Sequence, residues 1–161
     1  MITGNNSSAR IGLWIIFIIY IAILTKMILF KASPAHVVDQ LLHHVNRRSI
    51  KENMAHANLV PFATIKLYLN SNLRAEFKIS NLWGNIIGFI PFGLLLPLLW
   101  RKCSSFIGTV FIGFLLSLGY ECTQLICSLG IFDVDDLLLN TLGVMIGWIF
   151  FIAFKKLKVV G

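Results

Sequence analysis

The chain has 161 residues, 57% of them hydrophobic and 13% charged, with mean hydropathy +0.82. A soluble domain carries about 25% charged residues, so the composition excludes one and implies an integral membrane protein. The net charge of +7 does not point to nucleic acid, because the fourteen Lys and Arg lie in short clusters between apolar runs, as membrane topology arranges them.

Crossing about 30 Å of hydrocarbon takes roughly 20 residues of helix, and the period-2 alternation of a membrane barrel is absent. The expected fold is therefore all-α: a polytopic bundle of four transmembrane helices, with the length used up by a single membrane domain over residues 11–154. Residues 1–10 read as a polar tail. Ile11 to Phe30 makes the first span, broken only by Thr25 and by Lys26, which lies near enough to an end to snorkel. That run is longer than the 7–15 apolar residues of a signal-peptide core, and only Arg10 precedes it, so a cleaved leader is the lesser reading.

Residues 31–80 form one long polar connection. Within it Ser33-Pro34 suits a helix start, and Val37, Val38, Leu41, Leu42 and Val45 recur at helical spacing. The pattern predicts an amphipathic interfacial helix between spans 1 and 2, ending near Asn46. Asn58 to Thr64 then turns at Pro61 and leads into the apolar Ile65 to Leu69.

The second span, Leu82 to Trp100, contains Gly84, Gly88, Pro91, Gly93 and Pro97, which predicts a kinked helix that lets its neighbours approach closely. The third runs from about Ser105 to Cys127. After the turn Ser128 to Asp133, the fourth runs from about Val134 to Phe154, and residues 155–161 make a basic tail. Four spans place both termini on one side. Six Lys and Arg on that side abut the spans in short segments, whereas seven are spread over residues 31–80, so the termini are expected in the cytoplasm.

Four of the seven acidic residues, Glu121, Asp133, Asp135 and Asp136, fall in the stretch 121–140. An ionised side chain at the bilayer centre costs roughly 2.5–3.5 kcal/mol on insertion scales, so acids kept there mark a candidate site. Helix geometry puts Glu121 about 9 Å below the outer end of its span with Gln124 one turn above, Asn85 about one turn inside the second span, and Asp136 and Asn140 in the first two turns of the fourth. Glu121 and Gln124 are i, i+3, Asp136 and Asn140 are i, i+4, and each pair shares a helix face. Asn85, Glu121, Gln124, Asp133, Asp136 and Asn140 are thus expected to line a polar pocket opening outward, roofed by Asn58 to Thr64. The plainer alternative is interhelical hydrogen bonding, with Asp133 to Asp136 complementing a helix N-terminus, and for Asn81, Asp133 and Asp135 it weighs as much as a functional role.

Cys103, Cys122 and Cys127 offer neither a disulfide framework nor zinc spacing. His36 and His43 are i, i+7 and read as interfacial histidines rather than ligands, and Arg47, Arg48, Arg74 and Lys78 suit a charged rim or lipid phosphate. No metal and no cofactor is expected.

Four segments in order then carry a resemblance: Asn58-Leu-Val-Pro-Phe62, Gly84-Asn-Ile-Ile-Gly-Phe-Ile-Pro-Phe-Gly93, Glu121-x-x-Gln124, and Phe132-Asp-Val-Asp-Asp-x-x-x-Asn-Thr-x-Gly143. Over about residues 55–150 the chain resembles the VanZ-like membrane proteins. The family is named for a protein giving low-level resistance to teicoplanin-type glycopeptide antibiotics, which act on peptidoglycan precursors outside the bacterial membrane. The resemblance implies polar family positions at Asn85, Glu121, Gln124, Asp133, Asp136 and Asn140. The chain departs from the pattern at Gly130, where many members have Arg, and at Val144, where a second Gly often stands.

The expected function is that of a cell-envelope membrane protein implicated in reduced susceptibility to such antibiotics. Its partner would be a membrane lipid, a lipid-linked cell-wall precursor or the antibiotic's tail. The alternative is a membrane enzyme acting on a lipid-linked substrate with Glu121 as acid or base, although no nucleophile elbow, phosphate loop or ligand set accompanies it. A small ion-coupled carrier, the third reading, rests on the buried acid alone.

Overall fold

The computed structural model describes residues 7–30, 34–39, 42, 47–70 and 75–160, and every regular element among them is helical. In order these are α1 (Ser7–Leu29), α2 (Pro34–Asp39), α3 (Arg47–His56), α4 (Ala63–Asn70), α5 (Ala75–Leu99), a 3-10 turn (Arg101–Cys103), α6 (Phe106–Cys127) and α7 (Val134–Val160). Four stretches are long and apolar enough to cross a membrane: α1, Asn81–Leu99 of α5, α6, and Val134–Leu157 of α7. The 22 residues of α6 reach about 33 Å, which matches the hydrocarbon thickness. The protein is an all-α, multi-pass membrane protein.

The spans stand where hydropathy puts them, but their helices run past the apolar limits. Helix α1 takes in Ser7 to Arg10, α5 begins at Ala75, and α7 continues through the lysines to Val160. Ser, Arg, Glu and Lys are adequate helix formers, so nothing stops these helices where the oily stretch ends.

Of the interfacial helix expected over residues 34–46, Pro34 to Asp39 is helical; apart from Leu42, the remainder lies outside the described residues. The sequence reading gave no helix over Arg47 to His56, yet α3 forms there. Its sequence, RRSIKENMAH, has too few apolar residues to advertise a buried face, and the polar side chain of Asn53 helps to anchor it. Asn53 Nδ2 donates to the Leu125 carbonyl and to Ser128 Oγ, both at 2.8 Å, and so closes the C-terminal end of α6.

Helix α5 is the centre of the bundle and lies against α7, α6 and α1. Its contact with α7 is made backbone to backbone. A Cβ at Gly143 stands 2.2 Å from the Ile86 carbonyl oxygen, one at Gly147 stands 2.1 Å from that of Ile90, and one at Gly93 stands 2.1 Å from that of Val144. Only glycine permits this approach, and in lipid it is packing rather than a hydrophobic drive that joins helices.

Around this seam Leu24, Phe89, Phe92, Leu96, Tyr120 and Val144 form the core. Helix α1 is the most peripheral span, with Leu24 its one buried residue. Hydrogen bonds hold it: Tyr20 donates to the Gly88 carbonyl at 2.8 Å, and the hydroxyls of Thr25 and Tyr120 meet at 2.8 Å.

Candidate functional site

At one end of the bundle the C-termini of α1 and α6 meet the N-termini of α5 and α7, and here the acids gather. Asp133 precedes α7 and caps it, its Oδ1 accepting the Asp135 amide at 2.8 Å. Its own amide donates to Glu121 Oε2 at 2.8 Å, tying the start of α7 to the last turns of α6. Glu121 is only 1% exposed. A carboxylate at that depth is tolerated where donors reach it.

The segment between α3 and α4 lies across this end as a strap. The Asn58 amide donates to the Phe132 carbonyl at 2.9 Å and the Val134 amide to the Asn58 carbonyl at 3.0 Å, a single parallel bridge between Asn58 and Asp133. Side chains repeat the link: Asn58 Nδ2 donates to Asp133 Oδ1 at 2.8 Å, and Thr64 Oγ1 to Asp133 Oδ2 at 2.6 Å.

Asp135, fully buried, takes the amides of Phe62 and Ile65. Helix α4 has no acid in its first turn and receives this one from α7. Phe62 holds φ of 66°, a left-handed conformation that costs a bulky residue about 1–3 kcal/mol, and the bond to Asp135 keeps it there.

On the neighbouring side Asn85 of α5 donates to Asp136 Oδ1. The Tyr68 phenol of α4 is pushed above its ordinary value of 10.0, first by burial and then by the charges of Asp136 and Asp133. Glu121, Asp133, Asp136 and Asn85 therefore come together at the first turn of α7, as two hydrogen-bonded pairs three residues apart.

The other two expected residues do different things. Gln124 turns to α1, its Nε2 donating to the Ile28 carbonyl at 3.1 Å and satisfying one of the open carbonyls at that helix end. Asn140 sits one turn deeper between α6 and α7, donating to Ser117 Oγ at 2.8 Å, while its buried Oδ1 has no partner.

Asn58, Thr64 and Asp135 are members of the cluster that spacing along the spans did not pick out. Asp135 had a signal: three acids in four positions exceed what one helix N-terminus requires, and the surplus one caps a second helix. Among the described residues no group of three or more His, Cys, Asp or Glu is placed to hold a metal ion.

The model of the VanZ/LLP1 family matches residues 17–155. The chain belongs to the VanZ/LLP1 family. Among its relatives, Protein VanZ of Enterococcus faecium is 30% identical over 129 residues, which cover 80% of this chain and 66% of that protein. The match thus spans just under two thirds of the relative's length, and no solved structure matches the chain.

Both departures from the VanZ-like pattern have a local cause. A Cβ at Gly130 stands 3.0 Å from Gln124 Nε2, so a larger residue in that turn displaces the side chain that ties α6 to α1. Val144 is fully buried and fills the notch left by Gly113, where a Cβ would meet its Cγ2 at 2.5 Å. Glycine at 113 makes room for valine at 144.

Proposed function

We propose that this VanZ/LLP1 family member is a bacterial cell-envelope protein that lowers susceptibility to teicoplanin-type glycopeptides. Its termini lie in the cytoplasm and its acid-rich end faces the exterior, where it engages a lipid, a lipid-linked wall precursor or the antibiotic's lipid tail. One observation carries the reading: α5, α6, α7 and the Asn58 to Thr64 strap converge on one polar level formed by Glu121, Asp133, Asp136 and Asn85. Leu59, Val60 and Phe62 of the same strap are exposed, setting apolar side chains beside the polar cluster, as an amphipathic molecule at a headgroup boundary requires.

Glu121 accepts the Asp133 amide and is almost wholly enclosed. In this reading it holds the site's shape and performs no proton transfer.

The orientation rests on charge, since Arg10, Arg101, Lys102, Lys155 and Lys156 are exposed at the end opposite the acids. Expression in a susceptible Gram-positive host tests the function. Teicoplanin susceptibility is expected to fall while vancomycin susceptibility holds, and the effect is expected to vanish with Asn85→Ala/Asp136→Ala at unchanged membrane abundance. An equal change for both drugs, or none, overturns the proposal. A fluorescent protein fused after Gly161 is expected to glow; a dark fusion reverses the orientation.

A further inference from the structure

Between α1 and α5 the bundle opens into a cavity of about 240 Å³, walled by Leu24, Met27 and Ile28 on one side and Phe89 on the other, with Asn81 and Asn85 at its outer end. Its floor is Gly84, where an added Cβ would meet nothing within 4 Å. Its lining residues lie in the last turns of α1 and the first turns of Asn81–Leu99, two of the membrane-length stretches, which sets its apolar part beside acyl chains. Its volume is below the roughly 300–1,000 Å³ of sites that enclose a drug-sized molecule, so it holds no more than a segment of one chain.

One residue joins the cavity to the acid-rich end: Asn85 lines the cavity and donates to Asp136. We infer that the α1–α5 cavity is a lateral site for one acyl chain of a bilayer phospholipid, with the headgroup lying against Asn81, Asn85 and the first turn of α7. The inference rests on the reading of the acid-rich end as a binding end and names the class of molecule it takes.

Two features shape the site for a chain entering sideways. Helix α1 is the most peripheral span: Leu24 is its one buried residue, and Phe17, Tyr20, Ile21, Ile28 and Leu29 pack only partly buried against the core, so its wall of the site is less deeply enclosed than the seam of α5 and α7. On the α5 side Gly84 is itself exposed, which leaves the floor open to a chain arriving from the bilayer.

The test uses the full chain in phosphatidylethanolamine vesicles that contain a phosphatidylethanolamine with a diazirine midway along one acyl chain. After irradiation, adducts mapped by mass spectrometry are expected on residues 24–28 and 84–89. Gly84→Leu fills the floor without a clash and is expected to abolish them. Gly119→Leu on α6, where an added Cβ also meets nothing within 4 Å, is expected to leave them unchanged.

Adducts scattered over the exposed apolar faces of the wild-type protein overturn the inference, whatever the variants do. So does displacement by undecaprenyl phosphate at a mole fraction where unlabelled phosphatidylethanolamine has no effect, which makes the occupant an isoprenoid. Susceptibility and labelling are read separately. Labelling in place with unchanged susceptibility defeats the resistance reading alone, and scattered labelling with resistance intact defeats this inference alone.

Discussion

The seam between α5 and α7 and the acid-rich end of the same bundle are built on opposite plans. Along the seam, Gly93, Gly143 and Gly147 bring two backbones together with almost no polar side chains involved. At the acid-rich end, beside the Asn58–Asp133 backbone bridge, carboxylates reach between the elements: Asp133 to Asn58 and Thr64, Asp135 to the amides of Phe62 and Ile65, Asp136 to Asn85. Contact by shape fixes two helices relative to each other once. Contact through side chains can be undone and remade, which is the property the proposed binding role needs.

The largest effect is expected where shape alone decides. Gly147→Leu places a Cβ 2.1 Å from the Ile90 carbonyl oxygen, a clash with backbone that no rotamer relieves. The cost is expected to exceed about 3 kcal/mol, above the usual range for overpacking. It is measured as loss of monodisperse protein after detergent extraction. A well-behaved variant with wild-type thermal stability breaks the contrast from that side.

Asp135→Ala strips two amides of a buried charged acceptor, at about 1.5–3 kcal/mol for each bond. The strap and α4 are expected to loosen while α5 to α7 stay packed, so limited proteolysis should cut within residues 58–70 and leave the spans whole. A strap as resistant as the wild type's removes Asp135 from its assigned role.

A smaller change is expected for Gly130→Ala. The methyl group crowds Gln124 and weakens its bond to the Ile28 carbonyl, worth about 0.6 kcal/mol on average for an interhelical hydrogen bond in a membrane. The readout is faster hydrogen exchange in the last turn of α1 with little change elsewhere.

The smallest effect is one of charge. Asp136→Asn removes one of the influences that raise the Tyr68 phenol, so its titration, followed by NMR of ring-labelled tyrosine, is expected to move down toward 10.0. Tyr68 is raised in the folded state, so its contribution to stability is fully present below the unfolded value near 10 and is lost as pH rises beyond it; neutral pH leaves it untouched. An unmoved Tyr68 would place Asp136 too far away to belong to the cluster.

Much of this architecture was legible in the sequence. Apolar runs of membrane length fixed four spans, and Glu121 and Asp136 stood out because an acid in lipid demands a reason. The strap was expected over the acids as well, as a roof of Asn58 to Thr64, and its bonds to Asp133 place it there. What spacing misjudged was direction. Gln124 shares a face with Glu121, yet a side chain of that length chooses among partners, and an open carbonyl at the end of α1 captured it. Asp135 looked like one more charge at a helix start, and only α4 lying above it gave it work.

The sequence by itself determined that the chain crosses a membrane four times and carries its acids to one end, because hydrophobicity and helix length are local sums over consecutive residues. It also determined which glycines were available for close approach. Only the tertiary structure decided which acid meets which donor, that Val144 fills the notch of Gly113, and that a cavity opens beside Gly84. Those depend on distances between residues far apart in the chain, where a few tenths of an ångström separate a hydrogen bond from none.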